Sequence, residues 1–275
     1  MRDRNYLTSL DRGIHTLEVV GSSFRPLTLT EVANQMGMTK SSAQRFLNTL
    51  RSMGYLKRDE NKRYALSPKI LSLGFNFLNS STIAKIVKPH IDHLSSTFNK
   101  TLNLAVLDGF EIVYLYRKEV NRFLKYDLQP GSRLPAYCTS AGKILLAGLS
   151  DEDFIARVSQ NELKPVTPRT ITSKDELLQD IRKTRARGYS ICDRELSMDL
   201  YSMAFPLVND RGDVVAAINV TMGLEEKKSP IMRDLVKTMA NEAREISRIL
   251  GYEGPYPPFP SETAEKNLGA LPQSE

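Results

Sequence analysis

Residues 27–66 read LTLTEVANQMGMTKSSAQRFLNTLRSMGYLKRDENKRYAL, and no other stretch constrains the fold as tightly. Thr28-Leu-Thr-Glu31 has the spacing of a capping box. In such a box the Thr28 hydroxyl accepts from the N–H of Glu31, and the Glu31 carboxylate accepts from that of Thr28. The box predicts a short helix over residues 29–35 that buries Val32 and Met36 and stops at Gly37. Thr39 then caps a second helix. Along it Ala43, Phe46, Leu47, Leu50 and Met53 form one apolar stripe of helical period. Beyond it, Tyr55-Leu-Lys-Arg58 and Arg63-Tyr-Ala-Leu66 flank the polar turn Asp59-Glu-Asn-Lys62, which is a hairpin pattern. Two helices across a tight turn, followed by a hairpin, are the layout of a winged helix-turn-helix.

The face opposite the stripe carries Lys40, Ser41, Gln44, Arg45, Asn48 and Arg51, with Ser42 beside them, and no acidic residue occurs from Thr39 to Leu56. Solvated helix faces ordinarily mix both signs, which is the alternative reading of this helix taken alone. Here the amide and guanidinium groups are those that pair with adenine and guanine edges. The wing adds Lys57, Arg58, Lys62 and Arg63, four cations in the eight residues 57–64. We therefore expect a double-stranded DNA operator as partner. Ser41, Gln44, Arg45 and Asn48 are the candidates for base edges, and Lys40, Arg51, Lys57, Lys62 and Arg63 for phosphates.

Charge is placed accordingly. Residues 1–90 hold 14 Lys and Arg against 6 Asp and Glu, whereas residues 91–275 hold 24 against 26. The 275 residues leave room for a second domain. Two cysteines, Cys138 and Cys192, cannot build a disulfide framework or a zinc knuckle, and they predict reduced thiols. There is no apolar run of transmembrane length, and the N-terminus lacks the apolar core of a signal peptide. The expectation is a soluble cytoplasmic protein that uses neither membrane nor cofactor.

A helix over residues 9–20, with Leu10, Ile14, Leu17 and Val19 or Val20 inward, should pack behind the helix-turn-helix. Ser67-Pro68 starts a linker helix that is apolar on more than one side, suited to both its own domain and a partner subunit. Asn79 to Thr82 marks a boundary, and a helix follows over residues 83–98. Strands are expected at 101–107, 111–116, 123–128, 189–193, 201–209 and 213–222, with hairpin turns at Asp108-Gly109 and across Asn209 to Gly212. Helices are expected at 140–149, 152–159, 174–187 and 230–250. This order indicates an α+β fold. The division is 1–66 winged helix-turn-helix, 67–82 linker helix and boundary, 83–250 second domain, and 251–275 a proline-rich disordered tail.

Five motifs follow one another along the chain: Leu50-Arg-Ser-Met-Gly54-Tyr55, Ser67-Pro-Lys-Ile-Leu71-Ser-Leu-Gly74, Gly131-Ser-Arg133-Leu-Pro135-Ala-Tyr137-Cys-Thr-Ser140-Ala-Gly142-Lys143, Gly188-Tyr-Ser-Ile-Cys-Asp193-Arg-Glu195 and Ser202-Met-Ala204-Phe-Pro206, the last leading to Ala216-Ala-Ile-Asn219-Val220. In this order they resemble the IclR family of bacterial transcription regulators over roughly residues 9–250. The chain is most similar to the branch that governs aromatic-acid (β-ketoadipate pathway, protocatechuate and 4-hydroxybenzoate) catabolism. The resemblance implies a C-terminal effector-binding domain with a GAF-like sheet. It also implies a homodimer or homotetramer joined through the DNA-binding half and the linker helix, and a small carboxylate effector that changes the action on DNA. Asp199, where many members have Gly, and Cys192, where Asp or Ser is frequent, depart from the pattern beside the expected pocket. An alternative keeps the DNA-binding half and makes the second domain a pure oligomerisation module.

Ser140, Ala141 and Gly142 open a helix whose free N–H groups suit a carboxylate, unless they serve only helix initiation and tight packing. Ser202 with Ala204, and Asn219 with Thr221, alternate along two strands and could line a cavity with Cys192 and Asp193. Asn219, within an apolar strand, needs a hydrogen-bond partner, either a ligand or a backbone group. Tyr137 walls the pocket or is a core aromatic. Arg133 pairs with an effector carboxylate or with Asp193 or Glu195. No catalytic constellation is visible: Gly142-Lys143 lacks the rest of a phosphate loop, His90-Ile-Asp-His93 lacks zinc-protease spacing, and Cys138 has no base near it in sequence.

Overall fold

In the computed structural model, which describes residues 5–120 and 128–259, the Thr28 capping box forms: the Glu31 N–H donates to Thr28 Oγ1 at 3.3 Å and the Thr28 N–H to Glu31 Oε2 at 2.8 Å. It opens α2 (Leu29–Gln35), which follows α1 (Thr8–Gly21) and precedes α3 (Lys40–Ser52). The Thr39 hydroxyl caps α3 by accepting from the Ser42 N–H at 3.2 Å. The wing is β1 (Leu56–Arg58) paired antiparallel with β2 (Tyr64–Leu66), and Leu27 bridges to Tyr64. Val19, Val20, Leu27, Val32, Leu47, Leu50, Leu56 and Tyr64 form the core of this unit, which ends with α4 (Lys69–Ser80).

Several apolar side chains expected inside are outside. Leu10 and Ile14 are 61% and 50% exposed, because only the later turns of α1, through Thr16, Val19 and Val20, reach the core. Met53 closes the α3 stripe but lies in the open. α4, expected to face both its own domain and a partner subunit, buries none of its side chains in the single chain, leaving Leu71, Leu73, Phe75 and Phe77 exposed.

The second unit begins at Ser81. It contains α5 (Thr82–Phe98), β3 (Thr101–Asp108), β4 (Glu111–Lys118), β5 (Arg133–Pro135), α6 (Ser140–Ala147), α7 (Asp151–Ser159), α8 (Lys174–Arg187), β6 (Ser190–Asp193), β7 (Leu200–Val208), β8 (Val214–Gly223) and α9 (Met232–Ile249). The strands form one antiparallel sheet in the order β5-β4-β3-β8-β7-β6. The fold is α+β, as the sequence indicates. β5 was not foreseen. The strand expected at 123–128 lies outside the described residues except for Leu128.

Strand alternation assigns the two faces. Ala105, Ala204 and Ala217 share a cluster with Ala141, Ile144 and Leu145, so small side chains let α6 lie close to the sheet. All eight residues of α6 are buried. Gly142 is required there, since a Cβ would fall 2.1 Å from the Ala136 carbonyl oxygen. α5 and α9 supply further buried apolar side chains, including Val87, Ile91, Met239 and Ile246.

Residues 251–259 are not the start of a disordered tail. Tyr256 and Phe259 are buried, and the Tyr256 hydroxyl donates to the Pro206 carbonyl at 2.9 Å. Proline limits the freedom lost on ordering, and two aromatic rings supply the apolar area that composition alone did not reveal.

Candidate functional site

The exposed face of α3 and the wing form one surface. Lys40, Ser41, Arg45, Asn48 and Arg51 are exposed, as are Lys57, Lys62 and Arg63, while Ser42 and Gln44 are half-buried. Arg45 has no side-chain partner among the described residues, so its fork of donors is available. Gln44 differs. Its Nε2 donates to Asn48 Oδ1 at 2.9 Å and to the Tyr64 hydroxyl at 3.1 Å, tying the helix to the wing. Lys62 adopts φ +60° at the tip of the wing, and the Arg58 guanidinium lies 5.4 Å above the Tyr64 ring.

The second unit holds a narrow, partly open cleft whose free interior space is about 20 Å³. Tyr114, Leu128, Leu196 and Leu200 supply its rings and aliphatic walls. Thr139 and Ser140 line it at the start of α6, with Cys192 on β6, Ser202 on β7, and Asn219 and Thr221 on β8. Arg117, on β4, is the one charged side chain among these lining residues. The Ser140 hydroxyl is buried with no hydrogen-bond partner among the described residues.

A side-chain relay crosses the sheet beside the cleft. Arg117 donates through Nη1 to Asn103 Oδ1 at 2.8 Å, and through Nε and Nη2 to Glu119 Oε2 at 3.2 and 2.5 Å. Asn103 Nδ2 donates to Asn219 Oδ1 at 3.1 Å, and Asn219 Nδ2 to Thr221 Oγ1 at 3.3 Å. The partner that Asn219 requires is therefore another amide on the neighbouring strand, directly opposite in register. The backbone group offered as one alternative is not the partner found.

Behind α6, Lys143 is 1% exposed and its ammonium meets Glu195 and, at 2.9 Å, Asp180. Burial opposes the charged amine, but the two carboxylates outweigh it and raise the Lys143 pKa. Burial also pushes the Glu195 carboxyl upward, against the pull of Lys143. The ammonium faces these acids, which removes the phosphate-loop reading of Gly142-Lys143. A lysine within Ser-Ala-Gly-Lys-Ile-Leu-Leu-Ala was the signal for a buried ion pair. The thiols are inert in kind: burial pushes Cys192 up to about 12 and raises Cys138 as well. Cys192 Sγ donates to the Cys138 carbonyl at 3.1 Å.

Of the effector candidates, Ser140, Cys192, Ser202, Asn219 and Thr221 meet at the cleft. The others do not line it. Arg133 is exposed on β5 and pairs with Asp108 and Glu111, each at 2.7 Å, rather than with Asp193 or Glu195. Tyr137 is a core aromatic stacked on Phe110, its hydroxyl donating to the Lys164 carbonyl at 2.7 Å. Ala141, Gly142 and Ala204 serve packing beneath α6. Asp193 is held by Arg194 and Lys227 at 2.9 and 3.1 Å.

Arg117 and Tyr114 were missed for a definite reason. Simple alternation along β4 would separate positions three apart. A bulge between Leu104 and Ala105 shifts the β3–β4 register, so Tyr114 lies opposite Ala105 and Arg117 opposite Asn103. Both then face the cleft. No local sequence pattern announces that bulge.

Comparison with known proteins matches residues 9–60 to the IclR helix-turn-helix domain and residues 75–248 to the C-terminal domain of the bacterial transcriptional regulator IclR. The Pca regulon regulatory protein of Pseudomonas putida is 36% identical over 80% of this chain and 75% of its own length. The p-hydroxybenzoate hydroxylase transcriptional activator of Acinetobacter baylyi is 30% identical over 90% of this chain and 94% of its own. A transcriptional regulator from Rhodococcus sp. RHA1, solved by crystallography, shares 34% identity with a TM-score of 0.73, covering 89% of this chain and 98% of that one.

Proposed function

The chain belongs to the IclR family of bacterial DNA-binding transcriptional regulators, and from that premise we propose that it controls catabolic genes by sensing a small aromatic carboxylate in the cleft of its second unit. The observation that carries this reading is the cleft itself. It has apolar walls and a ring of hydroxyl, amide and guanidinium groups, and it contains a buried Ser140 hydroxyl left without a partner. A buried hydroxyl without a partner costs free energy, which a ligand's polar group would offset. The names of two relatives, one a Pca regulon regulator and the other an activator of p-hydroxybenzoate hydroxylase, support an aromatic acid in particular. Arg45 and Asn48 read bases in this proposal, while Lys40, Arg51 and the wing cations hold phosphates. The chain works as a homo-oligomer, for which the exposed Leu71, Leu73, Phe75 and Phe77 of α4 provide apolar surface.

Thermal unfolding of the full chain with 4-hydroxybenzoate or 3,4-dihydroxybenzoate tests the sensing role. A ligand at a hundred times its Kd stabilises by about 2.7 kcal/mol, a rise of roughly 5–10 °C for a domain of this size. If neither these nor other aromatic acids raise the melting temperature or change operator affinity, the second unit is an oligomerisation module and the sensing role falls.

A further inference from the structure

The cleft has two chemically different ends, and their charges decide which end takes the acid. At the start of α6 the helix N-terminus would ordinarily attract an anion. Here that end is partly satisfied within the chain. The Gly142 N–H donates to Thr139 Oγ1 at 3.1 Å and the Lys143 N–H to the Thr139 carbonyl at 2.9 Å. Directly behind lie Glu195 and Asp180, two carboxylates against the single Lys143 ammonium. What this end offers a ligand is two backbone N–H groups, of Ser140 and Ala141, backed by a net negative charge, and the hydroxyls of Ser140 and Ser202.

The opposite end is cationic. Arg117 is nine-tenths buried, with its side chain 10% exposed, and it lines the cleft on a strand rather than on a loop. A guanidinium carries five N–H donors. Glu119 and Asn103 engage Nε and one donor on each terminal nitrogen, which leaves a second donor on both Nη1 and Nη2. Both donors lie in the guanidinium plane, and a guanidinium hydrogen-bonds and charge-pairs a carboxylate strongly. The relay through Asn103, Asn219 and Thr221 fixes the guanidinium from the far side, so the fork is held in place before a ligand arrives.

We propose that Arg117 is the carboxylate anchor of the effector cleft, with the acid group at the β4 end and the remainder of the ligand directed toward Ser140. This rests on the reading of the cleft as an effector site. It differs from the sequence expectation, which offered the start of α6 or Arg133 for the anion. Arg117 then sets specificity, accepting acids over neutral molecules of the same shape.

The test compares 4-hydroxybenzoate with its neutral analogue 4-hydroxybenzamide, measuring the Kd of each by calorimetry on the full chain. Wild type should prefer the acid by roughly 10- to 100-fold, the range expected for hydrogen bonds to a charged group. Arg117→Met should bring that ratio close to one, with far-UV circular dichroism confirming the fold. Glu119→Gln removes the carboxylate that now competes for the guanidinium, so it should raise the ratio several-fold. This second variant decides the matter if Arg117→Met fails to fold. An acid-to-amide ratio unchanged in Arg117→Met, or not raised in Glu119→Gln where that variant decides, overturns the anchor while acid sensing stands. A wild type that binds neither compound removes the sensing role and the anchor together.

Discussion

At the scale of single residues, the division between reading and gripping DNA rests on which side chains are already engaged. Gln44 has its amide N–H groups engaged by Asn48 and Tyr64, so it offers a ligand chiefly its carbonyl oxygen. Arg45, exposed beside it, keeps its whole donor fork. Arg45→Ala is therefore expected to cost about 1–3 kcal/mol on the operator and to relax discrimination at one base position. Lys62→Ala, at the tip of the wing, should weaken all sequences alike and lower the salt slope by roughly one. Operator and random duplexes titrated across a salt series separate the two behaviours. Equal losses on both duplexes for Arg45→Ala would reassign it to the phosphates.

At the scale of elements, α2 depends on its cap. Glu31 accepts from the Thr28 N–H and hydroxyl and pairs with Arg25 at 2.5 Å, and Arg25 is the foremost cause holding its pKa down at about 2. A depressed carboxylate stabilises the fold above the ordinary glutamate range and loses that contribution as pH falls toward about 2. Thr28→Ala should cost about 1 kcal/mol. Glu31→Gln retains a side chain able to close the box but loses the charge. The stability gap between wild type and Glu31→Gln, read from urea melts, should thus be widest near neutral pH and close as the solution is acidified. A gap independent of pH would mean that the Arg25 pair contributes nothing. The same cap explains why this unit was legible in advance: Thr28, Glu31 and Thr39 act through neighbours three residues away, and the Ala43–Leu50 stripe is local as well. The cleft was legible where alternation held, at Ser202, Asn219 and Thr221, and where a helix start and a strand were read from the sequence, at Ser140 and Cys192. Arg117 depends on a bulge in a pairing with β3, and Arg133 on carboxylates some twenty residues distant. Those are tertiary facts that no window of sequence contains.

For the whole molecule, two units have separate cores, and the proposed function gives DNA to the first and a small acid to the second. The basic excess lies in residues 1–90, with 14 cations against 6 acids, so DNA affinity is electrostatic in large part and must be compared at one salt concentration. An acid in the cleft can alter operator affinity only through a difference in its own affinity for the DNA-competent and DNA-incompetent states. Linkage then requires reciprocity. If saturating 4-hydroxybenzoate changes the operator Kd by some factor, on the order of 5- to 150-fold for allosteric coupling in general, saturating operator duplex must change the 4-hydroxybenzoate Kd by the same factor. The check is two titrations in one buffer, operator with and without acid, and acid with and without operator. Matching factors are expected. A change in operator affinity with no matching change in acid affinity would mean that the acid acts elsewhere than on this equilibrium. Arg117→Met should then diminish the change in operator Kd seen at a fixed acid concentration below saturation, while its operator Kd without acid stays at the wild-type value. That pattern would distinguish a lost ligand contact from a damaged DNA-binding unit, since Arg45→Ala raises the operator Kd with or without the acid.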